Sequence, residues 1–254
     1  MSLMLLAATN SENLWTPYQL QTELWLDASD ITTVTRVSNV VSQWNDKSGR
    51  GRNATQTTAA NRPGYGTVLL NGRAMVNFDG SNDSLILPTG VYTESPCIWI
   101  VSDCNTNSAP LLRLQNTSEV LFLVNSSGAY PRLIATRRGE TQISVEIPDY
   151  RYHILNADSG SSSGITWTYY VNGSAGANQT NQGTATGTAN TNVIGINENS
   201  TNPYLGSIGE IIVASGGVPT GTRQIVEGYL AHKWGLTLNL PSDHPYKINP
   251  PLST

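Results

Sequence analysis

The sequence predicts an all-β sandwich or barrel, closed near its C-terminus by one amphipathic helix. Three observations predict it. About a dozen short apolar runs, rich in Val, Ile, Leu and aromatic residues, are separated by turns bearing Gly, Asn and Pro, which is the spacing of sandwich strands and not of βαβ units. Several runs alternate at period two: across residues 165–171, Ile165, Trp167, Tyr169 and Val171 are apolar or aromatic, so one face is buried and the other wet. One stretch, residues 222–234, carries helical periodicity, with Ile225, Val226, Tyr229, Leu230 and Trp234 on one stripe.

The elements follow in order. Residues 1–20 read as an arm ahead of a first strand at 23–27. Leu3, Leu5, Leu6 and Trp15 make that arm hard to leave in water, so it is expected to dock or to oligomerise. No Lys or Arg precedes its apolar stretch, which ends at Ala8, so the pattern of a secretory signal is not met. Residues 21–254 are expected to form one domain, a common length for a single sandwich and enough to bury a core without disulfide or metal. After a turn-rich stretch at 28–66, Asn71–Gly72 is a two-residue hairpin signal between the runs 68–70 and 74–78. Further strands are expected at 84–87, 97–101, 111–114, 120–124, 132–135, 143–147, 152–157, 165–171, 192–197 and 207–214. Residues 174–190, of Gly, Ala, Thr, Asn and Gln, read as a long exposed loop or a strand of small side chains. At the helix, Thr220 or Thr222 can cap the start, Gly235 suits the left-handed residue after the end, and Pro241 and Pro245 forbid further helix.

Only 13% of residues are charged and the net charge is -4, without a block of Lys or Arg. Nucleic acid is therefore not an expected partner. No run approaches the ~20 apolar residues of a membrane span. Cys97 and Cys104 flank one apolar run. If it is a strand, rising about 3.3 Å per residue, their sulfurs stand ~20 Å apart on opposite faces, beyond the ~7 Å between Cα atoms that a bridge allows. Free thiols are expected, as in a protein folded in a reducing cytoplasm.

Several segments together resemble a known group. Leu24–Trp25–Leu26–Asp27–Ala28–Ser29–Asp30, then Gln43–Trp44–Asn45–Asp46–Lys47–Ser48–Gly49, look like the opening of the laminin-G-like, concanavalin A-like domains of phage and bacterial surface proteins. Residues 76–85 resemble that group's second hairpin, 206–212 its last core strand, 223–236 its closing helix and 240–246 its tail. The likeness runs from Leu24 to about Pro251, and residues 105–205 carry no matching motif. It implies a concanavalin A-like jelly-roll β-sandwich with one C-terminal amphipathic helix. It speaks to fold more than to function, because members include sugar-binding domains, glycosidases, sialidase-linked modules and particle components.

Catalysis is not expected. Glycosidases need two carboxyl groups, ~5.5 Å apart for retention or ~6.5–9.5 Å for inversion. Along single strands no such pair occurs: Glu146 and Asp149 are three apart on opposite faces, Glu210 stands among Ile211, Ile212 and Val213, and Asp27 and Asp30 sit at a strand exit. No Gly-x-Ser-x-Gly elbow precedes a helix. His153, His232 and His244 lack metal-ligand spacing. No organic cofactor is expected. The resemblance implies calcium as the one candidate metal, with Asp27, Asp30, Asp79 and Asp83 (and Asp46) as ligands; the competing reading is that these carboxylates cap turns.

For carbohydrate, aromatic faces beside fixed polar groups are needed. Trp167, Tyr169, Tyr170 and Tyr130 are the candidates, with Tyr169 on the face of Trp167 and Tyr170 on the other; Tyr65 and Tyr92 lie in expected loops. Trp25, Trp44, Trp99 and Trp234 are assigned to the core. The reading that follows is a non-enzymatic phage virion protein made in the host cytoplasm: a head decoration, fibre or tail component. Its expected partners are other capsid or tail subunits, further copies of itself, and a host-surface glycan. The alternatives are an extracellular lectin-like module and a glycoside hydrolase.

Overall fold

Strand Pro96–Ser102 is buried along its whole length, yet its side chains enter two different cores. Ile98 and Ile100 join one cluster, while Cys97, Trp99 and Val101 join another. That alternation sets the architecture. The structure is a computed structural model, and the residues described are 13–91, 96–103, 109–115, 119–125, 131–137, 145–149, 151–159, 166–180, 192–196, 202–215 and 217–253.

The strands in chain order are β1 (Thr22–Asp27), β2 (Val34–Val37), β3 (Val40–Trp44), β4 (Ala54–Thr55), β5 (Gly64–Leu70) and β6 (Arg73–Asp79). Then come β7 (Leu85–Leu87), β8 (Pro96–Ser102), β9 (Ala109–Gln115), β10 (Glu119–Asn125), β11 (Arg132–Arg137) and β12 (Val145–Glu146). The last are β13 (His153–Asp158), β14 (Thr166–Val171), β15 (Ser174–Thr180), β16 (Asn192–Ile194) and β17 (Leu205–Ser215), before helix α1 (Thr220–Trp234).

One layer runs β1-β17-β8-β13-β14-β15, all antiparallel. The hairpin β5-β6 joins it where β6 takes Leu205–Ile208 of β17. The other layer runs β2-β3-β4-β7-β16-β9-β10-β11-β12. A single pair, Val40↔Gly64, links the two ladders. Between the layers lies the main core, where Leu24, Leu26, Ile98, Ile100, Leu155, Ile211 and Val213 meet Val41, Trp44, Leu85, Leu112, Leu114 and Ile194. This is an all-β sandwich, as the sequence predicts. Trp25, Trp44, Trp99 and Trp234 are each at most 2% exposed, as expected of them.

The outer face of the first layer is covered by α1. Val226, Leu230, Ala231 and Trp234 pack on Trp25, Trp99, Val101, Ile154, Ile212 and Ala214. The helix starts earlier than the sequence suggests: Pro219 is the N-cap and offers no side-chain bond, so Thr220 and Thr222 lie within the helix and cap nothing. Its end is as predicted, with Gly235 left-handed at φ 71. The hairpin at Asn71 (φ 51) and Gly72 (φ 72) is also as predicted, since two successive positive φ values define the tight turn that Asn-Gly favours. Its tip reaches the helix: Asn71 Nδ2 and Arg73 Nε both donate to the Lys233 carbonyl, at 3.0 and 2.8 Å, satisfying one of the carbonyls a helix end leaves open. Of residues 174–190, the first seven form strand β15.

The motif after β3 also has a structural task. Backbone groups on the outer edge of β1 would be unpaired, an invitation to another strand. Instead Asp46 Oδ1 accepts Trp25 N at 3.0 Å, Lys47 N donates to Trp25 O at 2.8 Å, Arg50 Nε donates to Thr22 O and Arg52 Nη1 to Glu23 O. Glu23 holds both arginines in return, at 2.8 and 2.7 Å.

Candidate functional site

Residues 13–16 and 250–253 run beside the C-terminal half of α1. Leu14 pairs with Leu252 in an antiparallel bridge, Trp15 N donates to Pro251 O at 2.9 Å and Ser253 N to Asn13 O at 2.7 Å. Trp15 therefore packs on its own domain: it is 7% exposed and stands edge-on to Tyr229, with ring centroids 5.7 Å apart. Only Trp15 of the four arm residues can be placed, because Leu3, Leu5 and Leu6 lie outside the described residues.

Between these segments opens a pocket of about 320 Å³. Trp15, Tyr229, Pro250, Pro251 and Leu14 give it apolar walls, and Arg73, His232, Lys233 and Thr16 supply the polar groups. Among the described residues no carboxylate lines it. Aromatic and proline surfaces beside a few fixed donors are the composition of a small-ligand site. Close by, Tyr18 is 71% exposed and stands edge-on to Trp25 at 4.8 Å.

The floor is held by a buried charge network. Glu210, fully buried, accepts from Trp25 Nε1 (2.7 Å), Tyr229 Oη (2.9 Å), Trp234 Nε1 (2.8 Å) and Lys233 Nζ (2.7 Å). Lys233 Nζ also meets Asp27 Oδ1 at 2.7 Å and donates to Tyr229 Oη at 3.0 Å, which uses its three protons. Asp27 and Asp30 both pair with Lys47, at 3.1 and 2.8 Å. Burial pushes the Glu210 carboxyl above its ordinary value, and Lys233 offsets this only in part. Burial acts on Asp27 as well, but the two lysines and Ser29 outweigh it and hold that carboxyl low.

This network corrects the calcium assignment for Asp27 and Asp30, since ammonium groups already neutralise both. Asp79 and Asp83 serve a turn: Asp79 Oδ1 accepts Ser81 N at 2.8 Å, and Asp83 Oδ2 accepts Asp79 N at 2.9 Å. Asp46 organises the edge loop. Among the described residues no three His, Cys, Asp or Glu side chains gather as a metal would need.

The aromatic assignment is corrected too. Trp167 and Tyr169 are 0% exposed in the main core, because that face of β14 points at the opposite layer. Tyr170 faces the helix, where the Arg223 guanidinium covers its ring at 3.7 Å. Tyr65 lies in β5, buried, with its hydroxyl on Ala28 O at 2.7 Å. Tyr130 and Tyr92 fall outside the described residues, as does Cys104; Cys97 is a buried free thiol. The histidines are tied into the fold: His153 to Asp149 and Asn172, His244 to Glu227, and His232 to Tyr246 O.

No protein-family model matches the sequence, and no curated protein matches it either. Solved structures match its shape. Domain 4 of a GH43 extracellular arabinanase from Geobacillus stearothermophilus, in complex with arabinotriose, superposes with a TM-score of 0.51 at 15% identity, over 79% of this chain and 95% of that one. A GH54 α-L-arabinofuranosidase gives 0.55 at 14% identity, over 85% of this chain and 60% of that one. The receptor binding domain of botulinum neurotoxin type G gives 0.52 at 11%, over 79% of this chain and 49% of that one. The chain is an all-β jelly-roll sandwich. It spans only about half to three-fifths of the neurotoxin and arabinofuranosidase chains it resembles.

The sandwich brings together residues that sequence reading kept apart. Trp15 belongs to the N-terminal arm and Tyr229 to the helix stripe, and Arg73, which the sequence does not single out, follows the Asn71–Gly72 turn; all three line one pocket. Asp27 and Glu210 were read singly, yet they are cross-strand neighbours sharing one ammonium. Reading along single strands cannot find a pair made between strands whose order is unknown. A usable signal was Trp15 itself, a large aromatic in a polar stretch next to Pro17.

Proposed function

We propose that this sandwich is a non-enzymatic adhesion module that holds a surface carbohydrate in the pocket between residues 14–16, residues 250–251 and α1. The observation that carries the reading is the pocket's make-up: ring and proline surfaces set against Arg73, His232 and Thr16, with no carboxylate among the described lining residues. Sugars offer apolar ring faces and directional hydroxyls, and such walls suit both. The absence of catalysis is supported by the state of the nearest carboxylates. Asp27 and Glu210 are cross-strand partners, but they are 3% and 0% exposed and bound to Lys233, whereas glycoside hydrolysis needs a pair flanking the substrate.

Calorimetric titration with arabinotriose and a panel of neutral and acidic oligosaccharides tests this. Saturable binding that weakens in Trp15→Ala is expected, with no release of reducing sugar. Silence across the panel at millimolar sugar overturns the carbohydrate reading, and turnover overturns the non-enzymatic one.

A second reading, a phage virion component, is favoured by a different observation. Leu14 and Leu252, which pair with each other, are 60% and 39% exposed, and Leu238 and Ile248 are 89% and 85% exposed. Exposed aliphatic side chains on one part of a chain suit an assembly contact. Light scattering on the full chain and on its Leu238→Glu, Ile248→Glu variant is expected to show an oligomer and a monomer respectively; two monomers would remove this reading.

A further inference from the structure

We propose that the pocket selects a carboxylate-bearing sugar, a uronic or sialic acid unit, and that Arg73 reads the carboxylate. This rests on the carbohydrate reading above and names the sugar class. Of the three basic side chains in the described lining, Arg73 is the permanent cation with donors left for a ligand. Lys233 has spent its three protons on Asp27, Glu210 and Tyr229, so only its stem is offered. His232 bonds Tyr246 O through Nε2 at 2.8 Å.

Arg73 differs on two counts. Its Nε is fixed on the Lys233 carbonyl at 2.8 Å, and it makes no ion pair among the described residues. Anchoring through Nε leaves the Nη1–Nη2 edge as a fork, the geometry that matches a carboxylate with two parallel hydrogen bonds. The hairpin turn at Asn71–Gly72 and the helix end hold that fork in place before any ligand arrives, which limits the ordering cost of binding. Among the described residues the lining contains no acid to compete for it. A neutral sugar would leave the guanidinium unmatched.

The test compares sialyllactose and a glucuronic acid disaccharide with lactose and with the methyl esters of the same two acids, by titration at low salt. The acids are expected to bind about tenfold more tightly than their esters, the gain of one charge-assisted fork. In Arg73→Gln that ratio is expected to fall to about one, and in Arg73→Lys to an intermediate value, because a point charge lacks the fork. Acids and esters of equal affinity in the native protein would overturn the inference while leaving the carbohydrate reading intact, and this comparison needs no variant to fold. An unchanged ratio in folded Arg73→Gln would overturn it equally. No binding of any sugar would remove both.

Discussion

Lys233 Nζ lies 2.7 Å from Asp27 Oδ1 and 2.7 Å from Glu210 Oε2, so one ammonium on the closing helix ties down the first strand and the last. Those two strands are neighbours in the sheet, with Asp27 opposite Glu210. The network is satisfied on every side, and so its value shows when a member is removed. Glu210→Leu leaves two indole N–H groups, a phenol and an ammonium without their acceptor. Breaking a buried pair in this way costs about 3–5 kcal/mol. Urea unfolding is expected to show that loss, with Glu210→Gln falling between Glu210→Leu and the native chain.

The edge loop makes a second prediction. Asp46 accepts from Trp25 N, Ser48 N and Arg52 N, at 3.0, 2.9 and 3.0 Å. Asp46→Ala removes the acceptor and frees the outer edge of β1. A cost of roughly 2 kcal/mol is expected from lost charge-assisted bonds, together with concentration-dependent aggregation, because an open edge recruits strands. Thermal scans at two concentrations check it; a variant that melts lower but stays monomeric would show that the loop only stabilises.

Two glycines in one helix are expected to respond in opposite senses. At Gly221 an added methyl meets nothing within 4 Å, so Gly221→Ala gains helix propensity, up to about 1 kcal/mol. At Gly228 the methyl would run into Cβ and Cγ of Tyr246, so Gly228→Ala overpacks the contact between α1 and the tail and costs about 1–3 kcal/mol. Paired melting curves decide between them, and equal shifts would mean the tail yields without cost.

Asp83 supplies a pH dependence. Burial, and the neighbouring Asp79 charge to a lesser degree, push its carboxyl up to about 6, against the pull of the Asp79 N–H. A raised acid holds its proton more tightly in the folded state than in the unfolded one. Stability from this group is therefore present at low pH and lost as pH rises through about 6. Asp83→Asn keeps an acceptor for Asp79 N without the charge. It is expected to be more stable than the native chain by about 1–2 kcal/mol at pH 8, with the difference vanishing near pH 4.

Much of the fold was legible because its signals are local. The alternation in residues 165–171, the Asn71–Gly72 turn and the left-handed Gly235 each need only their own neighbours to be read. The start of α1 misled because Thr220 and Thr222 are good caps by type, while the chain direction at Pro219 puts both inside the helix. The site was less legible. Trp167 and Tyr169 carry the alternation of a half-exposed strand, but which face of β14 is wet depends on where the second layer lies. Arg73, Tyr229 and Trp15 are brought to one pocket by a hairpin, a helix and a chain end that no short-range pattern connects.

The bridge between Leu14 and Leu252 has a mechanical consequence. Asn13 and Ser253 lie at the same end of that bridge, so a pull applied to these two residues opens it as a zipper, one hydrogen bond after another. The bonds of Asn13 and Trp15 to the C-terminal tail would part before any strand of the sheet takes up the tension. Trp15 and Pro251 are walls of the pocket, so a modest force would open it while the sandwich stayed folded.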